Sequence, residues 1–336
     1  MRRIYIILII LLIASISLNL AYGSVAIPVA EVFRILAGLG SDNQVWQVIV
    51  VQTRVPQCVT ALLCGMALSV AGLMLQTVFS NPLAGPSILG ITTGSSLGVA
   101  VVTLLCGGVV AETLVGWTAT IVGALVGAFA VMLAILALSS VIRSNVMLLV
   151  AGMMIGYLAS SAISMLNFFA TAEGVHSFTI WGLGSFAGVS LSQLPFFTVT
   201  VLVGLFISVL LIKPLNALLL GPNYAESLGI DIRRTRFLLL LATGILSSVV
   251  TAFCGPISFI GLAVPHMARL LIGTSSHNSL MPATMLIGAV LALVCNFVCH
   301  LPGGFGTLPL NAVTPIFGAP VIVYVIVNQR KIQYFN

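Results

Sequence analysis

Few side chains in this sequence could do chemistry. Cys295, Cys299 and His300 sit at i,i+4 and adjacent positions on one predicted helix, a spacing that could offer a soft metal two thiolates and an imidazole. The same residues serve as small packing groups on an apolar helix, and that is the reading adopted here. His266 stands between Pro265 and Arg269. A proline frees backbone carbonyls in the turn before it, and an imidazole beside it is read as a donor to them rather than as a metal ligand. There is no His-Glu-x-x-His, and the two aspartates, Asp42 and Asp231, fall in loops. The two lysines, Lys213 and Lys331, follow Ile212 and Arg330, so the Gly-Lys-Ser/Thr of a phosphate-binding loop is missing. Proton- or sodium-coupled carriers bury a carboxylate near mid-membrane, and no predicted span holds one. The chain is therefore read as no enzyme, with no metal site and no cofactor of its own, and any ATP is hydrolysed elsewhere.

The elements that position these residues follow from composition. Of 336 residues, 60% are hydrophobic and 5% charged, against about 25% charged in a soluble domain, so the solvent is lipid. Period-two alternation is absent, which leaves helices, at ~1.5 Å per residue across ~30 Å of hydrocarbon. Ten spans are expected: 4–22, 46–79, 91–107, 115–139, 146–170, 191–212, 237–253, 257–272, 281–300 and 308–327. The twelve Lys/Arg are scattered rather than striped, which argues against nucleic acid. With a cytoplasmic N-terminus, Arg2, Arg3, Arg143, Lys213, Arg233, Arg234, Arg236, Arg269, Arg330 and Lys331 all fall inside, and only Arg34 and Arg54 outside. Both termini are then cytoplasmic. Arg2-Arg3, the apolar run and Ala21-Tyr22-Gly23 also fit a cleaved secretory signal, but the run is longer than the 7–15 residues of a signal core, which favours a retained span.

Small-residue spacings such as Gly123-x-x-x-Gly127 and Gly184-x-x-x-Gly188 predict close helix packing. The six cysteines, Cys106 among them, show no disulfide spacing. Met147, Met153, Met154 and Met165 near the fifth span could line a path for a bulky ligand or serve as adaptable packing. Two stretches break the helical pattern, Asn81-Pro82-Leu83-Ala84-Gly85-Pro86 and Gly255-Pro256 with Pro265; non-helical backbone at membrane depth must face the bundle interior. Lys213–Arg236 is the longest polar segment inside. Within it, Tyr224-Ala225-Glu226-Ser227-Leu228-Gly229 reads as a short helix closed by glycine, the best grip for a cytoplasmic partner. The fold class is an all-α polytopic membrane bundle of about ten transmembrane helices with a broken, short eighth helix, and 1–336 forms one transmembrane domain with 213–236 as a loop within it.

The order and spacing of several motifs resemble the FecCD-type permeases of bacterial ABC importers for iron-siderophore, haem and cobalamin, over nearly the whole chain. The matching residues are Arg54-Val55-Pro56, Gly72-x-x-x-Gln76 leading into Asn81-Pro82-Leu83-Ala84-Gly85-Pro86, Ala151-Gly152, Trp181-x-x-Gly184-Ser185 and Ala225-Glu226-x-Leu228-Gly229. The longest match runs from Gly255-Pro256 through Gly261, Pro265, His266 and Arg269, followed by Leu308-Pro309 and Gly318-Ala319-Pro320. The resemblance implies a cobalamin-permease-like homodimer in the bacterial inner membrane, resting on two cytoplasmic ATPase subunits that bind the ATP and Mg, with a periplasmic substrate-binding protein outside. It implies a path lined by the fifth and tenth spans, a cytoplasmic gate at Ser144 and Asn145, and a coupling helix at Ala225, Glu226, Leu228 and Gly229. Asn81, Pro82, Pro86, Gly261, Pro265, His266 and Arg269 are its structural signature. An iron-siderophore is the expected cargo, with haem and cobalamin as the others of the class. The competing reading is a secondary transporter or channel acting without an ATPase.

The resemblance also places binding-protein docking at Arg54, Gln57 and His300, and here the pattern is incomplete. Gln57 stands where a second arginine is usual, and Asn296 and His300 stand where aspartate and arginine are usual in the ninth span. Docking is expected to be electrostatically weaker or pH-sensitive, since histidine titrates near neutrality.

Overall fold

Each long apolar run of the sequence becomes a helix, because in lipid only a helix pairs its own backbone polar groups within one segment. A computed structural model describes residues 2–41, 43–105, 114–142, 144–301 and 307–328; Asp42, Cys106, Arg143, Arg330 and Lys331 lie outside them. The helices are α1 (Arg2–Ala21), α2 (Val29–Leu36), α3 (Gln44–Val48), α4 (Val55–Val78), α5 (Ile91–Leu105), α6 (Leu114–Val141), α7 (Asn145–Phe169), α8 (Ala172–Gly182), α9 (Leu194–Leu210), α10 (Ile212–Leu218), α11 (Pro222–Ser227), α12 (Ile232–Cys254), α13 (Ile260–Ile272), α14 (His277–Cys299) and α15 (Leu310–Val327). A π-helical turn, Ile49–Arg54, joins α3 to α4, and 3₁₀ turns occupy Pro86–Leu89 and Phe186–Gly188.

Among the described residues, seven helices are long and apolar enough to cross a membrane, and the pair α9–α10, bent by 50°, makes an eighth. The shorter apolar helices α5 and α13 fill the places of the remaining two expected spans. The bend has a local cause: Pro214 lacks an N–H and crowds the carbonyl four residues before it, so the helix restarts at Ile212 in a new direction. The short helices α2, α8 and α10 were not foreseen.

α4 is the axis of the bundle, packed by α9, α12, α13 and α14, while α5 lies on α6 and α7. Small residues set these distances. A Cβ on Gly98 would stand 1.9 Å from the carbonyl oxygen of Gly123, and one on Gly72 would stand 1.6 Å from that of Gly261. α1 packs on the bundle: Tyr5 donates to the carbonyl of Ser279 (2.5 Å) and Asn19 to that of Leu293 (2.9 Å).

The same long-range bonds sort the helix ends. The starts of α1, α7, α12 and α14 share one end with the finishes of α4 and α6, and that end carries Arg2, Arg3, Lys213, Arg233, Arg234, Arg236 and Arg269. The opposite end holds Arg34 and Arg54.

Candidate functional site

At the basic end, the connector between α10 and α12 folds into a rigid mount. Gly221 (φ 97°) turns the chain and Pro222 opens α11, whose first-turn N–H would have no helical partner in any case. The helix starts two residues earlier than expected and closes at Ser227. Gly229 (φ 80°) then supplies the left-handed turn: its N–H reaches the carbonyl of Glu226 (2.9 Å), and the N–H of Ile230 reaches that of Ala225 (3.1 Å). That bond pair is a Schellman closure, and it explains why glycine stands there although a Cβ would meet no neighbour. Ala225 is fully buried, while Glu226, Leu228 and Gly229 face outward. Asp231 accepts from the Arg234 N–H (2.9 Å) and starts α12 at once.

Ser144 and Asn145, expected at the gate, lie close to this mount. Ser144 caps α7 by accepting from the Met147 N–H (3.3 Å), and the Asn145 amide donates to the Val78 carbonyl at the end of α4 (2.6 Å). Arg236 donates to the carbonyls of Ile142 (2.8 Å) and Ser139 (3.5 Å) and to Oδ1 of Asn145. Sequence reasoning counted Arg236 only as a marker of sidedness. A cavity of about 260 Å³ lies between Thr77, Asn145, Pro222 and Arg236.

The signature residues meet one layer deeper. Asn81 accepts from the Leu83 N–H (2.9 Å), holding the break after α4, and Pro86 opens the 3₁₀ turn against Gly261. His266, fully buried, donates through Nε2 to the Pro82 carbonyl (2.8 Å). Arg269 donates to Oε1 of Gln76 (2.6 Å), and Gln76 donates to the carbonyl of Leu262, about two turns before Arg269 and three residues ahead of Pro265 (3.2 Å). These contacts tie the broken segment to α13. Among the described residues no three of His, Cys, Asp and Glu come together as a metal would need, and Cys295 and Cys299 are buried in α14.

At the opposite end lie Arg54, Gln57 and His300, the residues expected at the docking surface. Arg54 is only 6% exposed, and its guanidinium points inward, donating to the carbonyls of Leu20 (2.9 Å), Ala21 (2.9 Å) and Val25 (2.5 Å). The carbonyls of Leu20 and Ala21 end α1, where helical partners run out and the dipole is negative, and that of Val25 lies in the following connection, so a buried cation is held there by its own chain. Gln57 is buried as well. Its Nε2 donates to Oδ1 of Asn296 (3.1 Å) and meets Nε2 of His300 (3.0 Å), while Nδ1 of His300 donates to the Asn296 carbonyl (2.8 Å) and the Asn296 amide donates to Oδ1 of Asn19 (2.8 Å). Since Gln57 can only donate through that nitrogen, Nε2 of His300 accepts there and Nδ1 is the donor to Asn296. The three departures from the family pattern thus form one hydrogen-bonded network, a relation that sequence alone could not reveal because Gln57 and His300 are 243 positions apart.

Two helices leave contrasting faces uncovered. α1 presents Ile6, Ile7, Ile10 and Ile13, as a lipid contact would. α7 presents Tyr157, Ser160, Ser161 and Ser164 among Met147, Met154 and Met165. Hydroxyls on an uncovered span face belong against water or another protein surface. A further cavity of about 370 Å³, near the opposite end, is walled by Trp117, His176, Trp181 and Phe253.

Comparison with known proteins gives a consistent result. Residues 8–328 match the model of the FecCD transport family. The vitamin B12 import system permease protein BtuC of Klebsiella pneumoniae is 34% identical over 322 residues, covering 95% of this chain and 92% of that protein. The protein of the same name from Citrobacter koseri is 33% identical over 287 residues, covering 85% of this chain and 84% of its own length. A solved structure assigned to the metal-chelate type of ABC transporter, in an inward-facing conformation, superposes with a TM-score of 0.84 at 28% identity, covering 97% of this chain and 99% of that one.

Proposed function

The chain belongs to the FecCD transport family, and from that premise we propose that it is the membrane-spanning permease of an ABC importer for a metal chelate, driven by a separate ATPase. The observation that carries this is the pairing of predicted spans that hold no carboxylate with a rigid external mount. The sequence has neither a phosphate-binding loop nor a carboxylate in a predicted span, so neither ATP nor an ion gradient has a foothold within the bundle. Among the described residues, the exposed segment best built to take a push is α11, held by the Schellman turn and by buried Ala225. A packed helix transmits rigid-body motion, which a loose loop would absorb.

In this reading the protein is a multi-pass component of the bacterial inner membrane. The basic end faces the cytoplasm, following the distribution of Lys and Arg, and receives two ATPase subunits at Ala225, Glu226, Leu228 and Gly229. Two copies of the chain pair so that the hydroxyl-bearing face of α7, together with α15, borders the path, and Ser144 and Asn145 close its inner mouth. A binding protein docks on the end carrying His300, where Arg54 supports the surface from beneath. The relatives named for vitamin B12 import make a cobalamin-type corrinoid the first cargo to try, and a ferric siderophore the second.

The experiment is uptake into proteoliposomes holding the chain with its ATPase and binding protein. ATP-dependent accumulation of cobalamin or a ferric siderophore supports the reading. Accumulation against a gradient by this polypeptide alone would refute it in favour of a secondary transporter.

A further inference from the structure

The connector that carries α11 and the connection between α6 and α7 meet through one side chain. Arg236 lies in the second turn of α12, five residues after the Asp231 cap. Its guanidinium holds the carbonyls of Ser139 and Ile142, at the finish of α6, and Oδ1 of Asn145, at the start of α7. The end of α6 is an apt seat for a cation, with carbonyls lacking helical partners and the negative end of the helix dipole. Asn145 then hands the contact on to the carbonyl of Val78, the last residue of α4. A single planar fork therefore joins three helices, with α4 added through Asn145, which a lysine, with its compact ammonium, could not reproduce in the same geometry.

The surroundings make this fork the stiff link. The cavity of about 260 Å³ separates Pro222, at the start of α11, from Asn145 and Thr77. Motion of α11 toward the 142–145 connection would close empty space along that line, whereas Asp231, α12 and Arg236 form an unbroken hydrogen-bonded path around it.

We propose that Arg236, acting through Asn145, is the positioning residue that relays displacement of α11 to the 142–145 connection, and so sets how much cargo moves per ATP hydrolysed. This rests on the importer reading above. The relay predicts that weakening either partner lets the ATPase cycle without opening the path, and that weakening both adds nothing, since both act at one contact.

The test uses the complete complex of permease, ATPase and binding protein in proteoliposomes, with hydrolysis and uptake measured in the same vesicles, and compares wild type, Arg236→Lys, Asn145→Ala and the double variant. Uptake per ATP should fall about tenfold in each single variant, within the roughly 5- to 150-fold range of ordinary coupling between sites, and no further in the double. An unchanged ratio, even with a lower melting temperature, would make Arg236 a merely structural anchor and overturn the relay, as would additive losses in the double variant. If Arg236→Lys fails to assemble, Asn145→Ala, which leaves the arginine in place, decides on the same ratio. Wild-type uptake without hydrolysis would overturn the importer reading and the relay with it.

Discussion

Replacing Arg54 by alanine separates a structural role from a docking role. Its guanidinium makes three hydrogen bonds, at 2.9, 2.9 and 2.5 Å, to the carbonyls of Leu20, Ala21 and Val25. Bonds from a charged donor contribute about 1.5–3 kcal/mol each, and water recovers part of that once the half-buried carbonyls are freed. The net loss should be about 3 kcal/mol, concentrated in the turn between α1 and α2. When local opening is fast relative to cleavage, the cutting rate follows the open population, so proteolysis within residues 22–28 should accelerate by about two orders of magnitude. The assay is limited proteolysis of the purified chain in detergent, with fragments assigned by mass. Arg54→Lys should fall between the two, because an ammonium cannot reach all three oxygens. A cleavage rate unchanged from wild type, together with complete loss of binding-protein capture, would refute the inward-facing account and return Arg54 to the docking surface.

Three further outcomes follow from the same geometry. Gly229→Ala puts a Cβ in a left-handed turn at a cost of about 1 kcal/mol, so it and Glu226→Ala should lower uptake more than ATP hydrolysis in the complex while the bundle stays folded; normal uptake by both would be decisive against the α11 assignment. Gly72→Ala drives a Cβ to 1.6 Å from the Gly261 carbonyl oxygen and should destabilise by at least ~3 kcal/mol, read as loss of monodisperse protein on size exclusion. Because amides, Gln57 and Asn296, stand where charges were expected and bond to each other, capture of the binding protein at this surface should change less than about threefold between roughly 0.05 and 0.5 M salt, which a titration of complex formation measures.

How much was legible depended on the range of the interaction. The spans were readable because membrane helices are specified by local composition, and the breaks at Asn81–Pro86 and Gly255–Pro256 were readable because proline acts on its own turn, whereas α13 runs on through Pro265. Sidedness was inferred from Arg and Lys counts, yet counting could not show that Arg54 turns inward or that Arg236 forks between α6 and α7, since their acceptors are backbone carbonyls with no sequence signature. α2 and α8 escaped notice because they are short pieces within connections, with Val32, Ile35 and Gly174 as their buried residues. The network of Gln57, Asn296, His300 and Asn19 was legible only as a set of departures; that the departures compensate one another needed α1, α4 and α14 side by side.

The stretch from Gln44 to Val78 runs 35 residues without leaving helical conformation, roughly 50 Å at ~1.5 Å per residue, against ~30 Å of hydrocarbon. α13, with 13 residues, reaches only about 20 Å. The first has slack, but most of it is buried within the bundle, so it meets the membrane only near its start, through exposed Val45, Val48 and Val51. The second has none, and must be walled in by its neighbours at every depth. Fatty-acid chain length in the host membrane should accordingly be felt at the rim of the molecule and leave the layer of His266, Arg269 and Gln76 undisturbed.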